Sequence, residues 1–147
     1  RLAFPLVLAL RRCYRARHRG ALVALWWDGR VLLVRNAYRR PWSLPGGSVR
    51  RGEPVAAAAA RELREEVGLT LAPEALEPER DLHLYAENQQ DHCTVLRRDL
   101  AAAPTLVADC REVVAWAWLE PAAARALELT PVARAYLRGA TTRRPSS

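Results

Sequence analysis

Residues 46–69 read GGSVRRGEPVAAAAARELREEVGL, and this stretch carries most of the information about the fold. Pro54 suits the first position of a helix, where its missing N–H costs nothing. The helix is predicted to run to about Val67 and to end at Gly68, a residue favoured just past a helix C-terminus. Its first half is rich in alanine, so it can approach a neighbouring sheet closely. Its second half carries an unusual concentration of negative charge.

Three glutamates, Glu62, Glu65 and Glu66, are poorly placed for the stability of this helix. At 100° per residue they are predicted to share one face, while an apolar stripe on another face packs on the core. That stripe consists of Ala56, Ala60, Leu63 and Val67. Glu62 and Glu66 repel each other by about 0.2–0.5 kcal/mol, and all three lie at the negative end of the helix dipole. A bound divalent cation reverses these unfavourable interactions, and oxygen ligands favour Mg²⁺ first and Mn²⁺ second.

The loop before the helix offers further candidates for the same site. Gly46 and Gly47 let the backbone approach a ligand closely, so the Gly46 carbonyl is a candidate metal ligand. Glu53 is expected to fold back from the loop and to pair with Arg61, which would pin the loop to the helix. Arg61 also precedes Glu65 by one helical turn and is expected to orient its carboxylate.

The composition fits one globular domain with anionic partners. The chain has 147 residues, of which 50% are hydrophobic and 27% charged, and this length suits a single domain. Its formal net charge is +7, and all 23 basic residues are Arg. Such a charge favours phosphates, nucleic acid or an anionic membrane surface. The three cysteines form no CxxC pair, which predicts reduced thiols and a cytoplasmic protein.

The two ends of the chain are predicted to differ from the domain between them. Residues 1–19 are predicted to form an N-terminal amphipathic helical segment packed on the domain, with attachment to a membrane surface as the alternative. The apolar run at 2–10 is too short to span a bilayer. Because the chain contains no Met, its N-terminus is expected to be truncated or processed. Residues 140–147 are predicted to be a disordered tail.

Strands and helices are interleaved between these ends. Strand-like runs at 20–27 and 30–35 flank Asp28-Gly29, a strong hairpin signal. WSLPGG at 42–47 is predicted to be a short strand that ends in a turn. Later strands are predicted at 80–86, 93–100 and 113–119, and helices that begin with proline at 121–129 and 131–139. A mixed sheet with helices on its faces is therefore expected.

The segment from Gly47 to Leu69 resembles the complete Nudix box. Its defining residues, each at the spacing of the box, are Gly47, Glu53, Arg61-Glu62-Leu63, Glu65-Glu66 and Gly68-Leu69. The order of the flanking strands is also similar to that of the family. The resemblance implies an α/β class and the Nudix fold, an α/β/α sandwich around a mixed β-sheet, in a single domain at residues 20–139.

The resemblance also implies an activity. Nudix enzymes hydrolyse the diphosphate linkage of a nucleoside diphosphate joined to another moiety, with Mg²⁺ or Mn²⁺ as cofactor. Nucleotide sugars, ADP-ribose-like compounds and nucleoside triphosphates stay open as substrates. Carried over by position, the metal ligands are the Gly46 carbonyl, Glu62, Glu65 and Glu66. The catalytic set is Glu53, Arg61, Glu62, Glu65, Glu66 and Glu112, of which Glu112 is the candidate ligand or general base outside the box.

Substrate contacts are predicted from residue type and position. Arginines suit phosphates and aromatic rings suit a base. The candidates are Arg35, Tyr38, Arg39, Trp42 and Tyr85. Asp91 and His92 border the expected cleft, although a turn aspartate and a surface histidine are the simpler interpretation.

Two alternative functions stay open at the level of sequence. One is an RNA 5′-end pyrophosphohydrolase, but the arginine pairs are scattered rather than arranged in a stripe, so nucleic acid is not the expected partner. The other is a non-catalytic domain that senses a nucleotide, which the intact box disfavours. Family members are often dimers, so a homodimer is left open, and no membrane span is expected.

Overall fold

The computed structural model of the chain describes residues 17–86, 89–107 and 113–140. A six-stranded sheet forms its centre. The strands are β1 (Arg17–Trp27), β2 (Arg30–Asn36), β3 (Gly46–Ser48), β4 (Glu77–Ala86), β5 (Gln89–Leu100) and β6 (Val113–Leu119). The helices are α1 (Val55–Val67), α2 (Pro121–Arg125) and α3 (Pro131–Arg138), and a 3-10 turn spans Pro73–Ala75.

The sheet is mixed, as predicted. Its strand order is β4-β5-β1-β2-β6, and β3 pairs with the N-terminal half of β1. β1 and β5 are parallel over the whole length of β1, whereas the other strand pairs are antiparallel. β1 lies at the centre and Val23 to Trp26 are buried. Burial on both faces explains the nearly continuous apolar run of this strand.

The turn between β1 and β2 forms where the sequence predicts it. Asp28 and Gly29 have φ values of 49° and 71°, and Trp27 pairs with Arg30 directly across the turn. Two successive residues with positive φ define a turn whose twist matches that of the strands. The Asp-Gly signal therefore fixes the register of the first hairpin.

Helices cover both faces of the sheet, which confirms the α/β/α sandwich. On one face α1 packs on β1, β2 and β5, and its buried apolar residues are Ala58, Ala59, Leu63 and Val67. On the other face α2 and α3 pack on the same strands through Ala124, Ala133, Tyr136 and Leu137. Alternate residues of the central strands supply the two cores, as the pleat of a strand requires.

The strand predicted at 42–47 begins further along the sequence than expected. Ser43 makes only an isolated bridge with Val34, and the strand itself, β3, begins at Gly46. At Gly46 φ is 147°, and a Cβ there would lie 2.3 Å from the Ala21 carbonyl oxygen. Only glycine permits this approach. Tertiary pairing with β1, rather than the local sequence, therefore places this strand.

Other boundaries differ from the predicted ones. β4 begins at Glu77 rather than at residue 80, and β5 begins at Gln89 rather than at residue 93. α2 ends at Arg125 rather than at residue 129, since the backbone beyond it pairs with Trp42. The Trp42 N–H donates to the Glu128 carbonyl at 2.8 Å, and the Thr130 N–H donates to the Trp42 carbonyl at 2.9 Å. These bonds hold residues 128–130 in an extended conformation.

The ends of the chain are only partly described. β1 begins at Arg17, so residues 17–19 belong to the sheet although the sequence assigned them to the N-terminal segment. The helical segment and the tail that the sequence predicts otherwise lie outside the described residues. Within the described ranges, no helix has both the length and the apolar character needed to cross a bilayer.

A polar network anchors α3 to the sheet. Trp26 Nε1 donates to the Tyr136 hydroxyl at 3.0 Å, and that hydroxyl donates to Glu79 Oε2 at 2.7 Å. Arg97 in turn pairs with Glu79 at 3.2 Å and with Asp99 at 2.9 Å. Burial, and then the bond to Glu79, raise the pKa of Tyr136 above its usual value. The hydroxyl therefore stays protonated and keeps donating.

Tyr136→Phe tests how much this network stabilises the fold. The substitution keeps the buried ring but removes both hydrogen bonds of the hydroxyl, and we expect a loss of about 1–3 kcal/mol in the free energy of unfolding. Urea denaturation measures it. The control is Arg134→Gln on the exposed side of the same helix, which should change that free energy by less than about 0.5 kcal/mol. Equal midpoints for both variants would refute a stabilising role.

Candidate active site

The site is built where α1 lies over β3. Gly47 faces the helix, and a Cβ on Gly47 would lie 2.6 Å from the Glu62 carboxyl carbon. A side chain at position 47 would therefore occupy the space that the carboxylate fills. This close approach brings an acidic group of the helix directly onto the backbone of the sheet.

Arg61 joins the helix to the loop that precedes it. Its Nε and Nη2 donate to Glu53 Oε2 and Oε1, both at 2.9 Å. Nη2 also donates to the Ser48 carbonyl at 3.1 Å, and the Arg50 N–H donates to Glu53 Oε1 at 3.1 Å. Two parallel bonds between a guanidinium and a carboxylate are strong and fix orientation. The predicted pairing of Glu53 with Arg61 is confirmed.

The remaining nitrogen of Arg61 turns toward the helix glutamates. Nη1 donates to Glu62 Oε1 at 2.9 Å and lies 3.5 Å from Glu65 Oε2. One guanidinium thus contacts three carboxylates. The hydrogen bonds from Arg61 lower the pKa of the Glu53 carboxyl to about 2, and those from Glu53 and Glu62 raise the pKa of Arg61. This pair is therefore fully charged at neutral pH.

Glu66 departs from the predicted arrangement. Only 5% of the residue is exposed, and its Oε2 accepts from the Gly46 N–H at 3.2 Å. At 100° per residue it falls between Ala58 and Ala59, inside the buried arc of the helix. The prediction that all three glutamates share a face separate from the core is wrong for Glu66. The sheet offers it a backbone donor at Gly46, which makes this burial tolerable.

The buried apolar face of α1 is also rotated around the helix axis from the predicted one. Ala58 and Ala59 are fully buried, whereas Ala56 and Ala60, which the sequence assigned to the core stripe, are only half-buried at its edge. Leu63 and Val67 are buried as predicted. The rotation of the helix that buries Ala59 also turns Glu66 toward β3.

The carboxylates suit a hard divalent cation in kind and in location. The Glu62 carboxylate fills the space beside Gly47 that a side chain would take, and Glu66 accepts from the Gly46 N–H. Glu65 lies one turn from Glu62 with half of its side chain exposed. Oxygen atoms are the donors that Mg²⁺ and Mn²⁺ prefer. Among residues 17–86, 89–107 and 113–140, no three acidic, imidazole or thiol groups already converge on one point. Arg61 instead holds two of the three carboxylates.

Glu112, the predicted ligand or base outside the box, lies outside the described residues. The described residues on either side of that gap are informative. The Val107 N–H donates to the Val67 carbonyl at 2.8 Å, and Val113 is buried in the same cluster as Val67. Val107 therefore lies at the C-terminal end of α1, and Val113 packs in the core that this helix covers.

The predicted substrate-binding residues are not gathered around the glutamates. The Arg35 guanidinium lies 5.5 Å from the centre of the Trp42 ring, and Trp42 packs on the core below α2 and α3. These two side chains are therefore on the face of the sheet opposite α1. Tyr38 and Arg39 are exposed in the loop after β2, and Tyr85 is exposed on β4.

The sequence analysis considered His92 but missed the polar group around it on the α1 face of β4 and β5. The Asp81 carboxylate accepts from Thr94 Oγ1 at 2.7 Å and lies 3.2 Å from His92 Nε2. The rings of His83 and His92 stack with their centres 4.3 Å apart. The alternation of polar residues at 81, 83 and 85 with Leu82 and Leu84 was the available signal.

Comparison with known proteins agrees with this architecture. The model of the NUDIX domain matches residues 16–139. Among solved structures, a MutT NUDIX hydrolase from Burkholderia pseudomallei is 24% identical, with a TM-score of 0.70, over 85% of this chain and 98% of its own. The E. coli dihydroneopterin triphosphate pyrophosphohydrolase is 25% identical, with a TM-score of 0.69, over 82% of this chain and 92% of its own.

A third similar structure is a complex of a C. elegans Ap4A hydrolase, 22% identical, with a TM-score of 0.69, over 82% of this chain and 93% of its own. A search of curated proteins gave no significant match. The fold and the site define a pyrophosphohydrolase that acts on phosphorus anhydrides. The chain belongs to the Nudix family, as the match over residues 16–139 shows. Nudix hydrolases generally use divalent metal ions and act on nucleotide derivatives.

The paired hydrogen bonds between Arg61 and Glu53 are called the Arg61 clamp from here on. Glu53→Gln tests this clamp through the pH dependence of stability. Because the pKa of Glu53 falls from 4.5 to about 2 on folding, its charge contributes stability above pH 4.5 that is lost as the pH falls toward 2. We therefore expect the variant to be less stable than the wild type at pH 7, and the difference to shrink below pH 4.5. Urea denaturation across this range measures it.

The control for this measurement is Glu74→Gln, in an exposed position of the 3-10 turn. It should follow the wild-type profile throughout. A Glu53→Gln profile that runs parallel to that of the wild type down to pH 2 would contradict the clamp.

Proposed function

We propose that this chain hydrolyses the diphosphate linkage of a nucleoside diphosphate joined to another moiety, with Mg²⁺ as the preferred cofactor and Mn²⁺ as a substitute. The observation that carries the proposal is the placement of two carboxylates on β3: Arg61 holds Glu62 beside Gly47, and Glu66 accepts from the Gly46 N–H. Two of the similar structures act, by their names, on dihydroneopterin triphosphate and on Ap4A. Both compounds join a heterocycle to a phosphate chain.

The residues divide into three roles under this proposal. Glu62, Glu65, Glu66 and the Gly46 carbonyl hold the cation, while Arg61 and Glu53 are positioning residues that keep the loop on the helix. When bound, a divalent ion neutralises charge on the diphosphate and lowers the pKa of a water molecule. A glutamate of the box or Glu112 takes the proton of the attacking water. That water forms the new bond to phosphorus, and the anhydride oxygen leaves with the second phosphate.

The charge of the site supports this division. Around the clamp, Arg61 contacts three carboxylates and Glu66 lies buried close by, so negative charge exceeds positive charge. Such a site repels a diphosphate on its own and attracts it only together with a cation. Hydrolysis should therefore depend strictly on a divalent ion.

We also propose a cytoplasmic setting for the enzyme. Within the described part of the chain Cys93 is a free cysteine in a buried position. Burial raises the pKa of its thiol to about 11. A protonated, buried thiol suits a reducing compartment.

Gly47→Ala separates the position of Glu62 from the stability of the fold. The new methyl group would meet the Glu62 carboxylate at 2.6 Å, and this flexible end of a side chain can move away. We expect turnover to fall by on the order of 100-fold with a loss of less than about 1.5 kcal/mol in the free energy of unfolding. Initial rates at saturating Mg²⁺ and urea denaturation measure the two quantities.

Gly46→Ala is the matched comparison. Its methyl group would meet the backbone of Ala21 at 2.3 Å, so we expect a loss of stability of about 2 kcal/mol or more. If Gly47→Ala instead kept full turnover, the placement of Glu62 over the sheet would not matter for the reaction.

Glu65→Gln and Glu66→Gln test the ligand roles. Each removes one negative charge with little change of shape, and we expect Mg²⁺-dependent turnover to fall by on the order of 100-fold or more. The measurement is a hydrolysis screen over a nucleotide library with Mg²⁺ and with Mn²⁺, with products identified by mass. Glu74→Gln is the control and should keep the wild-type rate. Full activity in either variant, or no uptake of either ion in calorimetry, would refute the proposal.

A further inference from the structure

Four side chains form an open surface beside α1, which we call the edge platform: Asp81, His83, Tyr85 and His92. Tyr85 is 77% exposed, and the side chain of Asp81 is 62% exposed. The histidine rings are nearly parallel, at 13°. Thr94, which is buried, donates to Asp81 Oδ1 and holds the carboxylate in place. The platform thus presents aromatic rings and one fixed carboxylate.

The edge platform lies on the same face of the sheet as the glutamates. Thr94 alternates with Leu96, which packs in the core under α1. A single row of paired residues runs across the sheet from Gly47 to Ala21, to Thr94 and to Asp81. Neighbouring strands are about 4.8 Å apart. His92 on β5 therefore lies about 10 Å from β3, the strand that the Glu62 carboxylate lies over. A ribose between phosphate and ring would bridge this gap.

We propose that the edge platform binds the heteroaromatic ring of the substrate, and that it prefers a ring with an amino group. This inference rests on the proposed function and names the substrate class for that same site. The planar ring of the substrate would stack on His92, on the side of that ring away from His83, and so extend the pair of histidine rings toward β1. Arg19 is the residue of β1 that pairs with His92. Stacking on aromatic side chains tolerates many rings. The preference for a ring with an amino group must therefore come from the Asp81 carboxylate.

Asp81 accounts for the preference because an ionised carboxylate only accepts hydrogen bonds. Its Oδ1 accepts a hydrogen bond from the Thr94 hydroxyl and lies 3.2 Å from His92 Nε2. No donor from the described residues reaches Oδ2. The bonds from Thr94, and then from His92, lower the pKa of Asp81. An exocyclic amino group donates to such an oxygen, whereas an oxo group in the same place repels it.

Steady-state kinetics on matched substrates provides the first test. ATP and ITP differ in an amino and an oxo group on the ring, and inorganic tripolyphosphate has no ring. For Asp81→Asn we expect the preference for ATP over ITP, as the ratio of kcat/KM, to fall about tenfold. For His92→Ala we expect KM for ATP to rise about tenfold with kcat retained, and His92→Phe should restore it. Hydrolysis of tripolyphosphate should be unchanged in all three.

The control is Glu77→Gln, an exposed carboxylate on the same strand as Asp81, which should match the wild type on every substrate. Unchanged KM values and an unchanged ATP to ITP ratio in the platform variants would overturn the inference. If the wild type hydrolysed none of the library anhydrides, the proposed function itself would fail instead.

Binding to the wild-type protein gives an independent test. Titration with AMP should shift the ring-proton NMR resonances of His83 and His92, assigned from His83→Gln and His92→Gln, because a stacked ring changes their local field. Ribose 5-phosphate, which lacks the ring, should leave them in place. Shifts of equal size with both compounds, or none with AMP, would refute the platform even if a variant failed to fold.

Discussion

A single guanidinium holds three carboxylates that have different roles. Arg61 pairs twice with Glu53, which fixes the loop, and once each with Glu62 and Glu65, which belong to the acidic end of α1. Arginine suits this position because its fork of donors is planar and permanently charged. A lysine would present one point charge and would lose the parallel pair of bonds. The geometry of the whole site therefore depends on this side chain.

The glycines of β3 make the clamp useful. Without side chains at positions 46 and 47, the helix can lower its carboxylates onto a strand rather than hold them in solvent. Glu66 then finds a backbone donor, and Glu62 finds room. The alanines of α1 contribute from the other side, since Ala58 and Ala59 allow the helix to lie close to β1. Small residues on both surfaces thus convert a repulsive cluster of charge into a defined site.

The sequence predicts those features that depend on neighbouring residues. Asp28-Gly29 specifies the first turn, and Gly68, with a φ of 69°, ends α1 where expected. The pairing of Glu53 with Arg61 was also expected, on the condition that the loop folds back onto its helix. These signals act over a few residues, so they survive without knowledge of the tertiary structure.

Features that depend on distant strands were not predictable in the same way. Glu66 turns inward because β3 lies beneath α1, and the pattern of the helix alone does not contain β3. Arg35 and Trp42 look suited to a substrate, yet the pleat of β2 turns Arg35 to the opposite face. The histidine stack exists only because β4 and β5 pair in one particular register. A shift of one residue would separate those rings.

The parallel pairing of β1 with β5 has a consequence for how the chain folds. β1 pairs with residues that follow it by about seventy positions, from Arg17 opposite Gln90 to Trp27 opposite Leu100. During synthesis the central strand therefore emerges long before β5, and at first it can pair only with β2 and β3. The other edge of β1 is covered late, after β5 (Gln89–Leu100) has left the ribosome. Contacts so distant in sequence slow folding because a large loop must close first, so the nascent enzyme spends that interval with an apolar strand unprotected.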